Sequence, residues 1–462
     1  MKQYDVIIVG GATTGSYFAH ELASRGHSVL VLEAKNQEKT GAKYDIYHVA
    51  KKEFDRFGLP LPEKGEDWAF EFENNENRSA FGRYPKKGKE HVIGMHMHPH
   101  TLRLNRWAVQ AGAELLYEAK FESLRYDDSG KICGIMYTYN GETITAGAKL
   151  VADCSGIPSV VRRSLPDGYG VENFEITPLD MFYVNLRYVK YHDPKDYVNA
   201  TTSWTFYKTW EAPQMDPEGA ILGVGANFSA EYADKIFGEF EKAVTLPKYT
   251  LQYIERGVTP YRRPPYSMVA DGFIAMGDAA CLTKPSAGEG VTSSMVQAKI
   301  AVDVVSDLLK ADKPLTREAL WPINKRYVDA QGRAFASQLA TVVGAVGTSA
   351  AENDFFFRHD IIFSQKTFQA LGDGQELQFS TGEMVKMAAL MVWGVLTGKV
   401  RVKTIQSLLK SMSDGGAVSA IYAAYPQTPE GFEAWCEKAD AAWAACPSMA
   451  EAAKAVEDSS KG

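Results

Sequence analysis

The chain has 462 residues, long enough for more than one hydrophobic core, since single cores rarely grow beyond about 250–300 residues. Hydrophobic residues at 45% and charged residues at 23% are the balance of an ordinary globular protein, and a formal charge of −7 without a basic, aromatic-rich tract argues against a nucleic-acid partner. Five scattered cysteines with no CxxC pair signal neither a disulfide framework nor a zinc or iron–sulfur centre. The start, MKQYDVIIVGG, passes straight into a glycine turn without the features of a secretory leader, so a cytoplasmic location is expected.

Asp5–Val9 reads as an apolar strand, Gly10–Gly15 as a tight turn, Ser16–Arg25 as a helix and Ser28–Glu33 as a second apolar strand. Strands that are apolar on both faces belong in a parallel sheet covered on both sides. A dinucleotide fingerprint needs small residues for the turn, for the approach of the pyrophosphate and for helix–strand packing. Gly10 and Gly15 hold the first and third positions, and Ala12 adds only a methyl group at the second. The helix start around Ala12, Thr14 and Gly15 offers N–H groups and a positive dipole end to a pyrophosphate, while Glu33 can accept bonds from ribose hydroxyls. The place of this unit at the N-terminus favours FAD over NAD.

Residues 53–95 look irregular, polar and aromatic. The segment HVIGMHMHPH (91–100) would set His96 and His98 on one strand face, but no carboxylate stands out nearby and no metal site is expected. A helix follows at Leu102–Gly112, then short strands to Ala152 with turn signals at Asp128-Ser129-Gly130 and Asn140-Gly141. The runs MFYVNLRYV, ATTSWTFYKTW and AILGVGANF between 175 and 228 suggest an antiparallel sheet. The strand FIAM at Phe273 leads through GDAA to a long helix at Val291–Leu309, and beyond about 330 the chain is mostly helical, with the last ten residues expected to fray. Met384–Leu396 is too short to cross a bilayer; it suits a buried helix or one lying at a membrane surface.

The segment DGFIAMGDAACLTKPSAGEGVTSSMVQAKIA (271–301) resembles the second FAD motif of the p-hydroxybenzoate-hydroxylase-like flavoproteins. The resemblance implies that Gly277 and Asp278 meet the ribityl chain and that Pro285, Gly288, Gly290 and Val291 form a turn and helix start beside the flavin. LVADCSGIPSVVRRSL (150–165) is similar to a strand-to-loop motif of the same superfamily, with Ser155 in place of its usual Asp and with Gly156, Ser159 and Arg162 matching. By the same resemblance the backbone at Phe121 faces the adenine, and Met97 stands where the family often carries a cofactor-touching Arg.

Cys281 after GDAA, and Gly-Glu-Gly-Val-Thr in place of Gly-Gln-Gly-x-Asn, look more like the geranylgeranyl reductase and FixC-like branch than the aromatic hydroxylases. YKTWEAP (207–213) and ILGVGANF (221–228) are similar to that branch's substrate-strand motifs, with Ala212 where a Phe is usual. Tyr207 is a candidate proton donor, Trp210 a candidate pocket wall, and Cys281 a candidate redox neighbour of the flavin. SWTFYKTWEAP lacks the Trp-x-Trp-x-Ile-Pro segment of flavin halogenases.

The resulting expectation is an α/β protein. A Rossmann-like FAD-binding domain (1–52, 96–168 and 266–330) is interleaved with an antiparallel β-sheet substrate domain (53–95 and 169–265), and a helical C-terminal region (331–462) follows. The implied activity is FAD-dependent reduction of C=C bonds in an isoprenoid or other large apolar substrate. A monooxygenase, a FixC-like electron-transfer flavoprotein and a non-catalytic GDI-like prenyl-binding module are the alternatives. No second glycine fingerprint marks the electron donor, which is left open between NAD(P)H and a ferredoxin or flavoprotein, and peripheral membrane contact is left open as well.

Overall fold

The computed structural model describes residues 1–41, 45–193, 195, 199–203, 208–344, 347–373 and 375–459. The chain begins β1 (Lys2–Val9), α1 (Thr13–Ser24), β2 (Val29–Glu33), β3 (Ile46–Ala50), α2 (Lys51–Phe57), β4 (Trp68–Arg78), β5 (Lys86–His96), α3 (Met97–Gln110) and β6 (Glu114–Tyr117). Next come β7 (Lys120–Tyr126), β8 (Ile132–Tyr139), β9 (Glu142–Asp153), β10 (Met181–Tyr191), β11 (Ala200–Ser203), β12 (Lys208–Pro213), β13 (Gly219–Asn227) and α4 (Ala230–Ala243). Then follow β14 (Tyr249–Pro260), β15 (Val269–Ala270), β16 (Phe273–Ala275), α5 (Val291–Lys310), α6 (Arg317–Tyr327), α7 (Arg333–Gly344) and α8 (Ala350–Arg358). The remainder is α9 (Gln365–Gly372), α10 (Thr381–Leu396), α11 (Val402–Ala423), α12 (Phe432–Ala444) and α13 (Met449–Ser459).

Two sheets organise these elements. The first has the order β15-β16-β9-β1-β2-β6, parallel from β16 to β6, with the antiparallel hairpin β7–β8 attached to β9. Alternation along β1 explains its unbroken apolar run. Val6 and Ile8 join the core that includes Phe18 and Leu22 of α1, Leu104 of α3 and Val302 of α5. Ile7 and Val9 face a second core with Tyr137, Val161 and Phe273. The turns at Ser129-Gly130 and Asn140-Gly141 close the β7–β8 and β8–β9 hairpins, the latter with both residues at positive φ.

The second sheet, β14-β10-β13-β12-β11-β4-β5-β3, is antiparallel except where β11 meets β4. It corrects the reading of 53–95 as irregular: β4 and β5 form a long antiparallel pair. Register shifts at Trp68/Phe70 and Phe72/Asn74 break the two-residue alternation, which hid the strands from a periodicity reading. Strand β3, within residues assigned above to the FAD-binding unit, pairs with β5 of this sheet. Helix α3 begins at Met97 rather than Leu102, because Pro99 is tolerated in a first turn where its missing N–H has no partner to lose. His98 therefore lies on a helix, not on a strand face beside His96. At the far end α13 runs to Ser459, and residues 460–462 of the stretch expected to fray lie outside the described residues. No helix among the described residues is long and apolar enough to cross a membrane.

Candidate functional site

The groove begins where β1 turns into α1. Gly10 has φ +114°, and a side chain there would meet the Cys154 carbonyl oxygen at 2.1 Å, so β1 and the end of β9 can touch only through glycine. Gly15 packs as closely, its missing Cβ 2.0 Å from the Gly10 carbonyl oxygen. Ala12 is exposed at the cap of α1, where no side chain satisfies the first N–H groups and no acidic residue occupies the first turn. The helix start is thus free for an anion. Glu33, at the end of β2, accepts from the backbone N–H of Gly11 (3.0 Å) and of Lys35 (2.9 Å). A carboxylate has about four acceptor sites, which leaves capacity for sugar hydroxyls. Beyond Glu33 lies a cavity of about 430 Å³ lined by Ala34, Asn36, Glu118, Lys120 and Thr138. Phe121 follows Lys120 on β7, its ring partly buried against the second core.

The three motif segments meet in space. A Cβ at Gly277, which has φ +61°, would stand 3.1 Å from the Thr14 hydroxyl, and one at Gly290 would stand 3.1 Å from Oδ1 of Asp278. The first contact joins the fingerprint to GDAA, and the second joins GDAA to the start of α5. Val291 is the first residue of that helix, and Gly290 caps it without a side-chain bond.

The 155–162 loop is pinned by a residue the motif reading passed over. Asp153, fully buried at the end of β9, accepts from Ser155 N (3.0 Å), Ser155 Oγ (2.6 Å), Val161 N (3.2 Å) and Arg162 N (2.7 Å). Ser155 therefore turns inward to Asp153, and Gly156 (φ +75°) turns the chain. Arg162 is also fully buried; its guanidinium donates to the carbonyls of Ala279, Glu172 and Phe174 at 2.8–2.9 Å. It meets the groove through the GDAA backbone. Asn105 of α3 similarly braces the first turn, donating to the Gly11 carbonyl (2.7 Å) and to Ser16 Oγ (2.6 Å). An acidic residue ending a buried strand and an Asn in an apolar helix face were the signals available for these two.

The turn from Pro285 to Gly288 is clamped from the second sheet. Tyr261 donates to the Pro285 carbonyl (3.0 Å), Lys208 Nζ donates to the Ala287 carbonyl (2.7 Å), and the Phe182 ring lies 3.0 Å from where a Cβ of Gly288 would be. Burial pushes the Lys208 ammonium down to about 8. Burial also works against a charge on Glu289, but Lys284 at 3.1 Å, Thr292 and Lys208 outweigh it and hold that carboxyl below its ordinary value. His48 on β3, edge-on to Phe70 and Phe72, is pushed down to about 4 by burial and by Lys208. Its Nε2 is buried with no hydrogen-bond partner among the described residues.

Lys208 and the Pro285–Gly288 turn wall one end of a cavity of about 660 Å³, which extends to Phe363, Phe368, Leu371 and Met412 of the helical region. Of the three residues expected at the reacting centre, two are described. Tyr207 lies outside the described residues. Trp210 packs its indole over Gly223 with Val184 and Ala212, so Lys208, 5.7 Å from the Trp210 ring, reaches the cavity in its place. Cys281 is 1% exposed, and burial pushes its thiol up to about 12.

The histidine cluster has carboxylate partners that the sequence did not reveal. His96 pairs with Asp45 (2.7 Å), and His100 with Asp67 (2.7 Å), which also holds Arg103 (3.1 Å). Met97 donates its N–H to the Asp45 carbonyl, tying α3 to the loop before β3. Among the described residues no three His, Cys, Asp or Glu side chains are placed to hold a metal ion.

Residues 3–212 match the FAD-binding domain family described as "FAD binding domain". The protein is an FAD-dependent oxidoreductase. The flavoprotein is 23% identical to a digeranylgeranylglycerophospholipid reductase of Sulfolobus acidocaldarius over 455 residues, covering 95% of this chain and 97% of the relative. Its fold is shared with a geranylgeranyl bacteriochlorophyll reductase-like protein of Thermoplasma acidophilum (TM-score 0.64, 16% identity, 87% of this chain and 100% of that one). It is shared too with a p-nitrophenol 4-monooxygenase of Pseudomonas putida (TM-score 0.57, 15% identity, 89% and 98%). FAD is the cofactor, and the glycine-lined groove with its two open helix starts fits it. The resemblance to the geranylgeranyl reductase-like branch of the p-hydroxybenzoate-hydroxylase-like flavoproteins stands, and the non-catalytic prenyl-binding alternative is set aside.

Proposed function

We propose that the flavoprotein reduces carbon–carbon double bonds of an isoprenoid chain or another large apolar substrate. One observation carries this reading: the 660 Å³ cavity joins the turn expected beside the flavin to apolar side chains of the C-terminal helices. The name of the Sulfolobus relative, matched along nearly the whole chain, supports it.

In this reading Glu33 would hold the ribose hydroxyls, the N–H groups from Thr13 to Gly15 the pyrophosphate and Asp278 the ribityl chain, with the start of α5 beside the flavin. Arg162 and Asp153 hold the loop that supports them. Bound FAD supplies the hydride. The chain's own part is to exclude water, align the alkene and deliver a proton. Among the lysines that line the cavity, Lys208 is the one bonded to the Pro285–Gly288 turn, and with an ammonium near 8 it holds a transferable proton at neutral pH. His48, pushed down by burial and by Lys208, is neutral at that pH.

Anaerobic stopped-flow spectroscopy tests the function. Enzyme reduced by NADH, NADPH or a reduced ferredoxin is mixed with polyprenyl lipids or with quinones. Reoxidation by a polyprenyl lipid, with the saturated product found by mass spectrometry, is expected. The shared fold with the nitrophenol monooxygenase favours a second reading, oxygen-coupled hydroxylation. Substrate-stimulated oxygen uptake with an oxygenated product would establish it in place of the first.

A further inference from the structure

Helix α10 breaks the rule that a surface helix is apolar inside and polar outside. Its inner stripe, Met387, Met391 and Gly394, is buried against Phe355, Val400 and Leu408. The opposite stripe is apolar as well: Val385 is 65% exposed, Val392 58% and Leu396 80%, with Trp393 at their flank 47% exposed. A helix apolar on all sides belongs in a core or against lipid, and this one is too short to span a bilayer.

The charges around it choose the occupant. From Thr381 to Met412 the chain carries Lys386, Lys399, Arg401, Lys403 and Lys410 against a single acid, Glu383, although the whole protein has a net charge of −7. Arg401 is engaged with Glu352 and Lys410 with Asp414, which leaves exposed Lys386, Lys399 and Lys403 around the apolar face. A second copy of the chain seated on this face would set its own cations against them. An anionic lipid surface offers both hydrocarbon for the stripe and phosphates for the lysines. The cluster beneath the helix borders the cavity. Leu408, Phe363 and Phe379 belong to the cluster beneath α10 and line the cavity, and Met412 lines it while 36% exposed.

We propose that α10 and the start of α11 are the surface by which this protein lies on an anionic membrane, with the Val385–Leu396 stripe in the acyl boundary and Lys386, Lys399 and Lys403 at the headgroups. The purpose, delivery of a lipid to the cavity, rests on the function proposed above; the surface itself does not. The test is flotation of the FAD-loaded full-length protein with equimolar phosphatidylglycerol–phosphatidylcholine vesicles and with pure phosphatidylcholine vesicles. Binding to the anionic vesicles that weakens with salt is expected. Val392→Glu/Leu396→Glu should weaken it by about tenfold or more, and Lys386→Glu/Lys399→Glu/Lys403→Glu should abolish the preference for phosphatidylglycerol, both with unchanged flavin spectra and dithionite reduction. No flotation of the wild type, or equal flotation of both variants, overturns the proposal. So does a wild-type dimer that Val392→Glu/Leu396→Glu converts to monomer without altering flotation. Flotation without reoxidation by any polyprenyl lipid would overturn the reductase reading alone, whereas reoxidation by detergent-dispersed lipid without flotation would overturn the surface alone.

Discussion

Lys208 shows how one side chain takes its chemistry from its surroundings. In water its ammonium would hold the proton far too tightly to be a useful acid near neutrality; burial behind the Pro285–Gly288 turn brings it down to about 8. The acid form is full below that value and is lost as pH rises through it. Reoxidation by substrate should therefore fall above about pH 8, measured by stopped flow across pH, and Lys208→Met should slow it by about 10²–10⁴-fold with flavin binding retained. Cys281 runs the other way. Closed in and protonated, it should resist alkylation in the folded protein, and Cys281→Ala should leave turnover unchanged while lowering stability by about 1 kcal/mol in urea unfolding. Gly10→Ala forces a methyl group into the Cys154 carbonyl. It should cost about 4 kcal/mol or more and release FAD, read as a lower Tm and a colourless protein.

Among the elements, the end of β9 bears the most consequence. Asp153 gathers four donors and fixes the 155–162 loop, which in turn lets Arg162 hold the GDAA carbonyl. Asp153→Asn turns an amide N–H₂ toward groups that are themselves donors, so a loss of about 3 kcal/mol is expected, with weaker FAD binding by titration into apoprotein. The start of α1 works by what it omits: an acidic or capping side chain there would compete with the pyrophosphate for the same N–H groups.

For the whole molecule, the site arises where three parts close on each other. The parallel sheet carries the groove, the second sheet and the residue after β14 clamp the Pro285–Gly288 turn through Phe182, Lys208 and Tyr261, and the C-terminal helices wall the far end of the cavity. Narrowing that far end should alter substrate length preference and not the chemistry. Leu371→Trp is expected to raise KM for long polyprenyl lipids by about tenfold and leave short ones unaffected, as measured by reoxidation across a chain-length series.

The sequence by itself determined the cofactor, FAD, and named the residues proposed to hold it. Gly10, Gly15, Glu33, Asp278 and Gly290 sit in short motifs whose spacing is set by one strand, one turn and one helix start, so local order alone exposes them. It did not expose Asp153 as the loop's anchor, Asn105 as the brace of the first turn, or Lys208 as the lysine bonded to the Pro285–Gly288 turn, because each acts on a segment distant in the chain. Bulges in β4 hid the second sheet, and the meaning of the apolar stretch Met384–Leu396 depended on which of its faces the rest of the fold covers. Motifs record short-range geometry; burial, pKa and exposure depend on contacts between distant segments, and only the tertiary structure decides those.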